Sequence, residues 1–135
     1  MTNISKKPLP LEQLDALFHQ LSCSLAALKP NHIDFFLTEL LGEEERIMIA
    51  KRLAVIIMLI QGHSLYKIAT VLKLSTSTVD SIHKKLKTNE YSFIVHTFKK
   101  EKKNFTALLN VLENILSVGG IMPSRAGLDR YKGLR

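Results

Sequence analysis

"IATVLKLSTSTVDSIHKKL", residues 68–86, decides the fold of this chain. It reads as two short helices joined by a sharp turn. Such a hairpin needs a small residue inside the first helix, where the second helix crosses it, and Ala69 supplies one. It also needs apolar residues at set distances from that crossing. Ile68, Leu72, Leu74, Val79, Ile82 and Leu86 stand at −1, +3, +5, +10, +13 and +17 from Ala69. Ser64 and Ser75 are placed to cap the two helices through their hydroxyls. The turn carries Lys73, where glycine is common because the backbone there tends toward positive φ. A non-glycine residue costs about 1 kcal/mol in that conformation, which a packed domain tolerates.

The second helix of the hairpin has two unlike faces. Val79, Ile82 and Leu86 point one way. At about 100° per residue, Ser77, Ser81 and Lys84 point the other, flanked by Thr78, Asp80 and Lys85. Short hydroxyls near a helix start allow close approach to base edges, and lysines further along reach phosphates. Asp80 repels phosphate. It either accepts from a cytosine amino group or pairs with Lys84 one turn on; the lysine pair is the favoured reading. The hairpin is therefore a DNA reader or, alternatively, a structural hairpin inside a bundle.

Charge favours the reader. Residues 1–62 hold 6 Lys/Arg against 7 Asp/Glu, while residues 63–135 hold 13 against 5, out of a total of +7. All the excess positive charge lies at or beyond the hairpin, which points to a polyanionic partner.

Outward from the hairpin the pattern is helical, and no strand is expected. Residues 1–10 form an arm with two prolines. Residues 11–28 are an amphipathic helix on the 3.6 period, ended by Pro30, and Asn31 caps a second helix over residues 32–41. Gly42 separates it from "EEERIMIAKRLAVIIMLIQ", which opens on three glutamates suited to the helix dipole. Its second half, residues 53–60, is apolar all round. Eight residues of helix span about 12 Å, far short of a bilayer, so no membrane partner is expected. A helix apolar on every side needs cover on every side, and a second copy of the chain is the economical source. Residues 89–118 read as one long amphipathic helix, with a potential break near residues 99–103, and residues 119–135 as a basic tail. The domain holding the hairpin and its dimer contacts is placed at residues 11–88. In the tail, Arg125, Arg130, Lys132 and Arg135 suit a minor-groove arm; a tail without a fixed partner is the alternative.

Catalysis and metal binding find no support. The single cysteine, Cys23, excludes a disulfide scaffold and fits a reducing cytosol. The histidines at 19, 32, 63, 83 and 96 are scattered without metal spacing. No phosphate-binding loop, dinucleotide turn or nucleophile motif is present, and no cofactor is implied.

The stretch "FFLTELLGEEERIMIAKRLAVIIMLIQGHSLYKIATVLKLSTSTVDSIHKKLK" resembles the Trp repressor superfamily, including its YerC/YecD branch, with a C-terminal extension. A short helix, an acidic helix start, a long apolar helix carrying an arginine, "QG" and the hairpin follow in the same order. The resemblance implies an all-α fold of helix-turn-helix type and an intertwined homodimer. It implies a cytoplasmic, nucleoid-associated, non-enzymatic transcription regulator, expected to be a repressor, reading half-sites about one helical turn apart on double-stranded DNA. The DNA contacts expected on this chain are Ser64, Tyr66, Lys67 and Lys73, then Ser75, Thr76, Ser77, Thr78, Asp80, Ser81, Lys84 and Lys85. In that family tryptophan is held by two arginines. Arg52 matches one of them, marking a possible effector pocket, but Ser81 stands at the other. With half the charged clamp missing, no tryptophan control is expected. The rival expectation is a helical interaction module whose C-terminal helix binds a partner protein, with only nonspecific affinity for nucleic acid.

Overall fold

A computed structural model of the chain describes residues 8–121, and every regular element among them is helical. In order these are α1 (Leu11–Ala26), α2 (Pro30–Leu40), α3 (Glu43–Ile60), α4 (Leu65–Leu72), α5 (Thr76–Lys87), α6 (Ser92–Lys100), a 3-10 turn (Lys102–Phe105) and α7 (Thr106–Ile121). Part of the arm and the tail residues Arg125, Arg130, Lys132 and Arg135 lie outside the described residues.

Two helix boundaries differ from the sequence reading. Helix α1 ends at Ala26, short of Pro30, and Pro30 is the first residue of α2, with Lys29 rather than Asn31 as its N-cap. Proline suits that position because its fixed φ is already helical and its missing N–H has no partner to lose there. The stretch read as one long helix with a potential break near residues 99–103 is two helices, and the break falls there. The chain leaves the helix at Glu101, at φ −121° and ψ 48°, and turns through Lys102–Phe105 before α7 begins. In an unbroken helix, positions 98 and 105 would lie about 10.5 Å apart along the axis. Here the Phe98 and Phe105 rings meet edge to face with centroids 5.3 Å apart.

Three successive helices stop in the same way. Gly62, Lys73 and Asn89 take positive φ after α3, α4 and α5. In each case the next N–H reaches back across the turn: His63 to the Met58 carbonyl, Leu74 to that of Ala69, and Glu90 to that of Lys85, at 3.0–3.1 Å. This closure satisfies carbonyls that a helix end would otherwise leave without partners.

The chain divides into two compact units, Met1–Ile49 and Ala50–Arg135, with the boundary inside α3. In the first unit no residue of α1 or α2 is buried. Leu11 is 73% exposed and Phe35 68%, and Phe18 and Leu40 are exposed as well. The entry to α3 is fixed by the Gly42 N–H, which donates to the Glu45 carboxylate at 2.7 Å, half of a capping box. The Arg46 guanidinium donates to the Thr38 hydroxyl, linking α3 to α2.

The second unit holds the core. Ala54, Val55, Ile56, Ile57 and Met58 of α3 are buried with Ile68, Ala69 and Leu72 of α4, Val79 and Ile82 of α5, Phe98 of α6 and Leu112 of α7. For residues 54–58 this corrects the expectation that the apolar half of α3 needs a second copy for cover: they share one core with residues of α4 to α7 of the same chain, while Leu53 is 37% exposed.

Candidate nucleic-acid interface

Ser64 and Ser75 start the two helices of the hairpin by capping them. The Ser64 hydroxyl accepts from the Lys67 N–H at 3.2 Å, and the Ser75 hydroxyl from the Thr78 N–H at 3.1 Å. Between the helices, Ile68, Ala69, Leu72, Val79 and Ile82 are buried, Leu74 is half-buried against the same core, and Leu86 is half-buried. Ala69 allows the close crossing, since any larger side chain there would hold α4 and α5 apart. Lys73 takes the turn at φ 57° and ψ 50°, squarely left-handed. Its carbonyl accepts from the Lys51 ammonium of α3 at 3.4 Å, a long contact between α3 and the turn.

With one face of α5 committed inward, the other is left to solvent. Thr76, Ser77, Ser81, Lys84 and Lys85 are exposed, and Thr78 and Asp80 are partly so. On the flanking segment Ser64, Tyr66, Lys67 and Lys73 are exposed, Tyr66 at 75%. The sequence-derived contact residues outside the tail therefore fall within one hairpin, none of them buried.

Their hydrogen-bonding capacity is unequal. Ser75 is committed as the cap and also meets the hydroxyls of Ser77 at 3.1 Å and Thr78 at 2.8 Å. The Ser81 hydroxyl donates to the Ser77 carbonyl at 3.0 Å, so it keeps acceptor lone pairs but no free proton. Thr76 makes no side-chain bond of this kind. The first amides of α5 have no helical acceptor, and they add donors and positive dipole beside Thr76 and Ser77.

Asp80 is accounted for within the helix. Its carboxylate meets the Lys84 ammonium at 3.2 Å, one turn away, with the side chains 42% and 74% exposed. Lys84, Lys85 and Lys87 occupy the last turn of α5, where cations oppose the negative end of the helix dipole. Two cations of this region escaped the sequence reading. Lys87 was legible as the third lysine of that turn. Lys51 was not, because its contact with the Lys73 carbonyl spans 22 positions.

Arg52 is exposed on α3, and Ser81, at the other expected clamp position, carries no charge. No polar or charged side chain is buried among the described residues, and no set of three metal-ligating side chains occurs among them. No helix among them is long and apolar enough to cross a membrane.

The family described as Trp repressor protein matches residues 12–100, about two-thirds of the chain. The match ends with α6 and leaves α7 outside. No curated protein and no solved structure matches the chain.

Proposed function

The chain belongs to the Trp repressor protein family, a family of DNA-binding transcription regulators without enzymatic activity, and from that premise we propose that it is a sequence-specific repressor. It acts as a cytoplasmic, nucleoid-associated homodimer of the YerC/YecD branch. In this reading α5 lies in the major groove. Thr76, Ser77 and Ser81 face base edges, while Lys84 and Lys85 face phosphates. Ser64, Tyr66, Lys67 and Lys73 fix the hairpin on the DNA backbone. The observation that carries the reading is the two-faced α5: Val79 and Ile82 are buried, while hydroxyls and then lysines occupy its outer side.

The homodimer is supported by the first unit, whose apolar side chains on α1 and α2 are left in solvent by a single chain. Independence from tryptophan is supported by Ser81, which offers no charge to a ligand carboxylate. The rival reading, a C-terminal helix free to bind a partner protein, loses its support. The α7 residues Leu108, Leu109, Leu112, Ile115 and Leu116 pack against the chain's own core.

Selection of bound DNA from a random pool tests the proposal directly, and a two-fold related site is the expected product. Ser77→Glu and Ser81→Glu should each abolish binding to that site while preserving the helical circular dichroism. Undiminished binding by both variants would remove α5 as the reading helix.

A further inference from the structure

A short hairpin aims its second helix only as well as its first helix is held. Helix α4 has 8 residues, too few to be stable alone, so its position is set by what packs on it. Besides α5, the helix that packs most extensively on α4 is α7. Leu112 is 2% exposed, in the same core as Ile68, Ala69 and Leu72 of α4. Leu108 and Leu109 precede it on the same side, and Ile115 and Leu116 follow. The start of α7 is fixed separately, where Phe105 meets the buried Phe98 ring edge-on at 5.3 Å. Helix α7 is thus anchored at its entrance and at its middle, and it lies outside the matched family range of 12–100.

We propose that α7 is a built-in positioning element for the reading hairpin. It holds α4, and through α4 the aim of α5, with no bound effector required, and Leu112 and the Phe98–Phe105 pair are its positioning residues. The proposal rests on the reading of α5 as the DNA-contacting helix. It separates two kinds of binding. Specific recognition needs α5 at a fixed angle, so that several side chains meet base edges together. Nonspecific binding needs only the lysines near phosphates, which a loosened hairpin still presents. Loss of the brace therefore lowers the specificity ratio and not all affinity alike.

The test compares Leu112→Ala with Leu112→Met, and Phe105→Ala with Phe105→Leu, in the full chain. Each is measured on the DNA site selected by the wild-type protein and on a scrambled duplex, at a temperature where the helical signal is retained. The alanine variants should lose at least about tenfold on the selected site, the loss expected if one hairpin in ten keeps the reading geometry. Affinity for the scrambled duplex and its salt slope should stay within about twofold of wild type. The methionine and leucine variants, which refill most of the volume, should recover the specificity ratio. Equal losses on both duplexes, or no loss on either, would overturn the proposal.

Amide hydrogen exchange without DNA is the second arm. Faster exchange confined to α4 and α5, with residues 54–58 of α3 still protected, is expected of the alanine variants. Uniform acceleration, or wholesale loss of helix in both, would make α7 part of the general foundation and sink the positioning role. If the wild-type chain selects no DNA site, the DNA reading fails, yet the exchange pattern still decides whether α7 holds the hairpin.

Discussion

Replacing Asp80 with asparagine should make this chain bind DNA more tightly, and the gain should depend on salt rather than on sequence. The Asp80–Lys84 pair is 3.2 Å long but well exposed on both sides. Pairs of this kind, one helical turn apart in water, contribute about 0.3–0.5 kcal/mol. The melting temperature should therefore fall only slightly. Binding should change more. The substitution removes a negative charge from the outer face of α5, so that the Lys84 ammonium faces phosphate without Asp80 offsetting its charge. One additional net positive charge per chain against the phosphates steepens the dependence of log K on log salt by about 0.9. Across a fourfold rise in salt, from about 50 to about 200 mM, the advantage over wild type should shrink by about 3.5-fold per chain. Fluorescence anisotropy titrations on the selected site, repeated with each base pair changed in turn, would measure both terms. Lys84→Ala should do the reverse, weakening binding on every duplex and flattening the salt slope. If Asp80→Asn instead lost about 1–3 kcal/mol at a single base pair, Asp80 would be accepting from a base. The ion pair would then be incidental and the reasoning refuted.

Lys73→Gly should leave the melting temperature within a few degrees of wild type. The left-handed backbone at φ 57° is relieved by about 1 kcal/mol, against a similar entropic loss for glycine. Its salt slope on DNA should nonetheless flatten by about 0.9 per chain, and an unchanged slope would remove Lys73 from the interface. Ala69→Leu should destabilise by about 1–3 kcal/mol through overpacking at the α4–α5 crossing; chemical denaturation showing wild-type stability would contradict the close crossing. Calorimetric titration with L-tryptophan should show no micromolar binding, and such binding would mean that Ser81 does not break the clamp.

The hairpin was legible because its requirements are local. A small residue at the crossing and apolar residues at fixed offsets from it leave few other folds for residues 68–86. The left-handed Lys73 was legible for the same reason, since the turn demands that backbone whatever side chain stands there. Pro30 misled because proline is common both just beyond a helix and at its first position, and nothing local in the sequence separates the two. The return of α7 was hidden in another way. Phe98 and Phe105 fall on one stripe whether the helix is continuous or folded back on itself, so periodicity carries no information about the break. Missing that return made the apolar half of α3 look uncovered. Among the hydroxyls of α5, residue type alone suggested equal partners for DNA. Geometry divides them into a cap, Ser75, a back-bonded Ser81, and a Thr76 whose side chain makes no such bond.

Correcting the burial of α3 moves the case for a homodimer to different residues. If residues 54–58 had required a partner, the core itself would depend on dimerisation, and the hairpin could not be held by one chain. Helices α4 to α7 supply that cover, so the second unit has its apolar interior without a second copy. The first unit does not: Leu11, Leu17, Phe18 and Leu21 of α1 and Phe35 and Leu40 of α2 remain exposed. Apolar side chains clustered on two helices favour association, and an identical unit on a second chain offers the self-complementary surface that two-fold symmetry requires. The charge follows the same division, because all the excess cations lie after residue 62, away from the first unit in sequence. Pairing through the first unit therefore brings together segments of low net charge. Helix α3 begins in one unit and ends in the core of the other.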